Sequence, residues 1–173
     1  LLRFRPEFPI LETCTYLVSN SLGAMPRTVP DRLAAYADSW RTHGVRAWAK
    51  GWWEMTTTVG DVVAPLIGAA PHEVAMAPTV TLAQAAILSA IPFTKDRDTV
   101  VMTELDFPSV RYALEALAPK LGARVVVVPS DDGIGIDQQR LHAAIDDRTA
   151  LVAVSHVLFR SAFILDAEAL CAH

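Results

Sequence analysis

Lysine is scarce in this chain of 173 residues. Only Lys50, Lys95 and Lys120 are present. Covalent catalysis through an amine needs a lysine whose charge is suppressed by burial or by neighbouring groups. None of the three lies in a segment that predicts such a setting, so the sequence offers no candidate for a covalently reacting lysine.

Cysteine pairs, basic clusters and long apolar runs are also missing. Cys14 and Cys171 are far apart and belong to no metal-ligand or redox motif, which is typical of reduced thiols in the cytoplasm. The net charge of -4 leaves no basic stripe for nucleic acid. No stretch approaches the roughly 20 apolar residues of a membrane span. We therefore expect a cytoplasmic protein that binds neither nucleic acid nor membrane.

The chain is rich in apolar residues, at 52% of the sequence. From residue 74 onward, short β-branched segments alternate with helical ones, and strands are predicted at 74–77, 99–103, 124–128 and 150–155. Strands separated by helices indicate crossover connections. The sequence predicts an α/β fold, a three-layer sandwich with a mainly parallel sheet.

The first part of the chain has a different pattern. Residues 1–23 look extended and turn-like, with a short strand at 16–18 that leads into a turn at 20–23. Helices are predicted from Pro30 to Gly44 and over 52–68. We predict an N-terminal segment and helix over 1–50 and a partial large domain over 51–173. Asp166 resembles the N-cap of a helix that has only about two turns before His173, so we expect a fragment of a longer protein.

Three segments follow predicted strands, where open α/β sheets bind ligands. Residues 77–81 open a helix whose free N–H groups favour an anion, although Thr79 or Thr81 acting only as an N-cap is the simpler alternative. Phe107 follows the next strand and is placed either to cover a planar ring or to pack in the core. Ser155 ends the last strand, where it meets a ligand or satisfies its own loop.

The order of these segments resembles the class V aminotransferase group of fold-type I enzymes, and within it the kynureninases. The similar elements are residues 16–26, which contain Asn-Ser-Leu-Gly, residues 77–82, and the Phe-Pro-Ser sequence at 107–109. These enzymes use pyridoxal 5'-phosphate (PLP). The resemblance implies six residues that bind this cofactor: Pro78, Thr79, Val80, Phe107, Ser109 and Ser155.

The resemblance also implies individual roles. Thr79 and the adjoining backbone would hold the phosphate, Phe107 would stack on the pyridine ring, and Ser155 would lie near its phenolic oxygen. Ser21 and His43 would face an amino-acid substrate across a homodimer interface, although a surface histidine near a helix end is an equal alternative for His43. One departure is Val110, which replaces an aspartate of the family.

The complete protein is thus expected to be a PLP-dependent enzyme of amino-acid metabolism. A kynureninase-like hydrolysis of the Cβ–Cγ bond of an aryl-ketone amino acid and a class V aminotransferase reaction are the main alternatives within the family, and a cysteine desulfurase is a less favoured one. The lysine that holds the cofactor would lie outside these 173 residues, so this chain alone is expected to be inactive. The alternative of another class is a non-catalytic α/β module that binds a phosphate-bearing ligand or forms a dimer.

Overall fold

The computed structural model describes residues 2–173. The fold divides into two compact units, Leu1–Met76 and Ala77–His173. The boundary predicted between residues 50 and 51 falls inside the first unit and stays a prediction. Among the described residues, no helix combines the length and the apolar character needed to cross a membrane.

The first unit is helical. Its two α-helices are α1 (Val29–His43) and α2 (Met55–Val63). Pro30 occupies the first turn of α1, and Gly44 ends that helix with a φ of 53°, as the sequence predicts. Short 3-10 helices complete the unit, at Leu2–Glu7, Pro9–Glu12, Gly44–Lys50 and Ala64–Leu66.

Two strands predicted near this unit are wrong. Residues 16–18 form no strand and lead into a turn at residues 19–21, where the Ser21 and Leu22 N–H groups both donate to the Val18 carbonyl. Residues 74–77 are extended but pair with no strand among the described residues. The Met76 N–H donates to the Thr56 carbonyl of α2 at 3.1 Å, so a helix takes the bond that a neighbouring strand would otherwise accept.

The second unit alternates helices and strands. In chain order these are α3 (Val80–Ala90), β1 (Thr99–Thr103), α4 (Pro108–Leu117), β2 (Arg124–Val128), α5 (Gln138–Ala143), β3 (Thr149–Val152) and α6 (Ala167–Ala172). The strands form a parallel sheet in the order β2-β1-β3. The bounds of β1 and β2 are those predicted from their β-branched runs.

Helices cover both faces of this sheet. Val100 and Met102 of β1 point to one face, where they pack with Leu88 of α3 and Leu114 of α4. Val101 points to the other face and joins a second buried cluster, whose other members are Val128, Ile136, Leu141, Leu158 and Leu165. The predicted three-layer α/β sandwich is therefore confirmed.

Because all three strands are parallel, their carboxyl ends meet at one edge of the sheet. The turn before α4, the loop after β2 and the segment after β3 all start at this edge. At the opposite edge, the Asp98 carboxylate binds the Arg148 guanidinium. The candidate ligand-binding groups therefore lie at the carboxyl ends of the strands, and this ion pair lies at their amino ends.

Candidate functional site

Thr79 begins α3 as its N-cap. Its backbone is extended, with φ −149° and ψ 156°, and its hydroxyl oxygen accepts from the Leu82 N–H at 3.2 Å. The capping role predicted for Thr79 is confirmed. The first N–H groups of a helix, here those of Val80 and Thr81, have no partner within the helix and attract anions. Pro78 contributes no N–H to this helix start.

Phe107 begins α4 and is only partly covered. Its side chain is 47% exposed, so it does not lie in the core. The ring meets the Phe159 ring in a T-shaped pair, with 4.9 Å between centroids and 72° between planes. The exposed half of the Phe107 side chain is accessible to a planar group.

The starts of α3 and α4 are joined by a side-chain hydrogen bond. The Thr81 hydroxyl donates to the Ser109 hydroxyl oxygen at 3.3 Å, between residues that are both partly buried. This bond brings two helix N-termini together, and both ends carry partial positive charge. An anion at this point would lie near both helix starts and two hydroxyl groups.

Asp106 joins the end of β1 to the segment that follows β3. This connection could not be predicted from the sequence. Its carboxylate is buried and accepts from the Thr103 N–H at 2.9 Å, the Thr103 hydroxyl at 2.8 Å and the Ser155 N–H at 2.7 Å. Glu104 accepts from the Ser130 N–H at 2.9 Å. Both Glu104 and Asp106 lie in the turn after β1.

A cavity of about 300 Å³ lies beside these groups. Val80, Gln84, Asp106, Val110 and Ser155 contribute to its walls, together with apolar residues of α3 and β3. The Gln84 side-chain oxygen is buried without a hydrogen-bond partner. Two of the six predicted cofactor residues, Val80 and Ser155, therefore share one cavity.

The side chain at Val110 is apolar and functions in packing. It is partly buried against the cluster that contains Leu88 and Val100. Arg111, the next residue, is bound to Glu115 at 2.8 Å, and this hydrogen bond raises the pKa of the Arg111 guanidinium. The start of α4 thus contains no carboxylate at residue 110, where the resemblance to kynureninases implies an aspartate.

The loop after β2 is held by its own side chains. The Asp132 carboxylate accepts from the Gly135 N–H at 2.9 Å and the Ile134 N–H at 2.8 Å, and these bonds lower its pKa. These residues form an exposed turn. Over residues 2–173, no group of three or more histidine, cysteine or acidic side chains is arranged to hold a metal ion.

Ser21 and His43 belong to the first unit. Ser21 lies in an exposed turn and donates its N–H to the Val18 carbonyl at 3.0 Å. The His43 Nδ1 atom lies 3.1 Å from the Ser39 carbonyl and 2.9 Å from the Thr42 hydroxyl. Local bonds therefore orient the His43 ring at the end of α1, and the substrate-facing roles of both residues stay predictions.

The lysines of the second unit lie away from these groups. Lys95 precedes β1 and Lys120 precedes β2, so both stand at the amino ends of the parallel strands. Phe107 and Ser155 follow the carboxyl ends. Neither lysine is therefore part of the candidate site.

The fold and this arrangement agree with the comparison to known families. The model of the family described as aminotransferase class-V matches residues 15–170. The chain belongs to this family, whose members include PLP-dependent enzymes. Kynureninases are among its relatives: the chain is 33% identical to that of Shouchella clausii and 31% identical to that of Geobacillus thermodenitrificans. Each match covers 98% of this chain and 42% of the relative, so the chain spans less than half of their length.

Solved structures support the same fold. A lysine-to-alanine mutant of C-DES, with glycine covalently linked to its PLP cofactor, matches with a TM-score of 0.81 at 19% identity. That match covers 97% of this chain and 44% of C-DES. A complex of the cystine C-S lyase C-DES with cysteine persulfide gives a TM-score of 0.80. At these identities the likeness is one of fold.

Proposed function

We propose that the protein carrying this chain is a PLP-dependent enzyme that acts on an amino acid, with kynureninase-like hydrolysis of a Cβ–Cγ bond as its reaction. Residues 77–173 would supply the phosphate and ring side of the cofactor site. The observation that carries this proposal is the convergence of two helix starts through Thr81 and Ser109, beside the partly exposed Phe107 ring. The kynureninase relatives support the choice of reaction.

The donor set at this edge fits a phosphorylated planar cofactor. The Thr79 hydroxyl oxygen accepts from Leu82, which leaves its proton for an anion. The Val80 and Thr81 N–H groups would donate to the same anion. The half-exposed Phe107 side chain would cover a pyridine ring, and Ser155 would place its hydroxyl near the ring's phenolic oxygen.

When bound, PLP supplies an electron-accepting ring that stabilises negative charge on a carbon of the substrate. The residues of this chain would anchor the phosphate and limit the tilt of the ring through Phe107. The lysine that attaches the cofactor would come from outside these 173 residues. Lys95 and Lys120 stand at the opposite sheet edge, and Lys50 is an exposed residue of the first unit. Ser21 and His43 would contact the substrate, and homodimeric assembly in the cytoplasm belongs to the same proposal.

A class V aminotransferase is the second candidate, and Val110 is the observation that favours it. A kynureninase-like site would have an aspartate there, whereas Val110 packs into an apolar cluster. Product analysis with kynurenine and a 2-oxo acid as amino acceptor separates the two reactions, because hydrolysis of the Cβ–Cγ bond releases anthranilate whereas transamination leaves this bond intact and releases none.

The cofactor assignment is tested by titrating the complete protein with PLP, using wild type and Phe107→Ala. We expect visible absorbance from the bound cofactor in the wild type. The variant should bind PLP about twofold to tenfold more weakly, because it loses about 0.5–1.5 kcal/mol of aromatic contact. Phe107→Tyr keeps the ring and is the matched control. Equal affinity in Phe107→Ala and wild type would remove Phe107 from the site.

A further inference from the structure

We infer that Asp106 is a positioning residue that fixes the two sides of the candidate cofactor site to each other, an inference that rests on the proposed function. Asp106 lies between the last residue of β1 and Phe107, and it is only 4% exposed. No cation pairs with its carboxylate among the ion pairs of residues 2–173. Its three partners are all neutral donors at strand ends.

These bonds divide between two strands. One carboxylate oxygen, Oδ2, accepts both the N–H and the hydroxyl of Thr103, at 2.9 and 2.8 Å. The other oxygen, Oδ1, accepts the Ser155 N–H at 2.7 Å, across a separation of 49 residues. A single side chain therefore joins the carboxyl end of β1 to the segment that follows β3.

The chemistry of these contacts requires a carboxylate. Both oxygens of aspartate accept hydrogen bonds, whereas asparagine has one accepting oxygen and a donating NH₂ group. In Asp106→Asn, either orientation of the amide places this NH₂ against the N–H of Thr103 or of Ser155. A buried N–H then loses its acceptor, which is costly inside a protein. Asparagine would fill the same space without making the same connection.

The connection matters because of what lies on each side of it. Phe107 follows Asp106 directly and provides the surface that would cover the cofactor ring. Ser155, which follows the neighbouring strand β3, provides the hydroxyl. The separation of these two groups is thus set through the Asp106 carboxylate. Asp106 acts through Phe107 and Ser155, because protein groups already donate to both of its oxygens.

The experiment uses the complete protein that carries this chain, as wild type, Asp106→Asn and Glu104→Gln. Glu104 is the matched control, since its carboxylate lies two residues away and holds the Ser130 N–H on the β2 side. PLP affinity and the visible circular dichroism per bound PLP are measured, together with the unfolding temperature of the PLP-free protein. The dichroism reports how asymmetrically the ring is held, which a purely structural loss does not change.

We expect Asp106→Asn to weaken PLP binding about tenfold, the factor associated with one lost hydrogen bond to a charged group, and to reduce the dichroism per bound PLP. Glu104→Gln should retain both values. Wild-type dichroism in Asp106→Asn, even with a lower unfolding temperature, overturns the inference. Failure of the wild type to bind PLP overturns the proposed function as well, so the two failures are distinguishable.

A second pair of variants applies if Asp106→Asn does not fold. Thr103→Val removes the hydroxyl that donates to Asp106 and keeps the side-chain shape, whereas Thr103→Ser keeps the hydroxyl. We expect reduced dichroism per bound PLP in Thr103→Val and the wild-type signal in Thr103→Ser. Equal signals in these two variants overturn the inference.

Discussion

The two roles of the Thr79 hydroxyl can be separated by substitution. In the structure the hydroxyl caps α3 through the Leu82 N–H, and in the proposed function it also donates to a phosphate. Thr79→Ala removes both interactions, whereas Thr79→Asp keeps an excellent cap and places a negative charge where the phosphate would lie. The two variants should therefore differ in stability and agree in their loss of cofactor.

The magnitudes follow from the contacts. Loss of an N-cap costs about 1 kcal/mol, and the long 3.2 Å bond to Leu82 places Thr79→Ala at or below that value. A hydrogen bond to a charged group contributes about 1.5–3 kcal/mol, so Thr79→Ala should weaken PLP binding about 10- to 100-fold. Thr79→Asp should be at least as stable as wild type and bind PLP more weakly than Thr79→Ala.

The assay is equilibrium titration of the complete protein with PLP and, separately, with pyridoxal, which lacks the phosphate. Urea unfolding of the PLP-free variants measures stability. The substitutions should alter PLP affinity strongly and pyridoxal affinity little. Thr79→Asp with wild-type affinity for PLP would refute the phosphate role and leave Thr79 as a helix cap.

The remaining predictions concern stability. Gly60→Ala should destabilise the first unit by more than about 1 kcal/mol, the penalty of an overpacked site, because its Cβ would overlap the Val74 carbonyl oxygen. An unchanged urea midpoint would contradict this contact. The Arg148 hydrogen bond lowers the pKa of Asp98 from its ordinary value of 3.8, so its stabilising effect is present above that value and is lost as the pH falls through the lowered pKa. The unfolding midpoints of wild type and Asp98→Asn should therefore differ at neutral pH and converge in acid; a constant difference would exclude the linkage.

The strands could be predicted where the sequence itself marks their ends. Residues 125–128 are four valines that follow Gly122 and precede Pro129, and β2 has the predicted bounds. Residues 74–77 have a similar apolar character, yet strand formation needs a partner, and the Met76 N–H bonds to α2 instead. Local pattern thus indicates the capacity to form a strand, while pairing depends on which chain segments are adjacent.

The candidate site was predictable in its local parts only. The helix start at Thr79 and the aromatic at Phe107 follow from their positions after extended segments. Asp106 was missed because its decisive bond reaches Ser155, and no pattern in the sequence specifies a contact between residues so far apart. A buried acid in a turn directly after a strand is the only signal that could have drawn attention to it.

The positions of Lys95 and Lys120 have a practical consequence for finding the amine that binds PLP by borohydride reduction. Borohydride reduction couples PLP permanently to whichever amine holds it, and both of these exposed lysines stand at the sheet edge opposite Phe107. Their tryptic peptides therefore act as an internal background standard in mass spectrometry. Labelling there measures adventitious reaction with surface amines, against which specific attachment elsewhere in the complete protein can be judged.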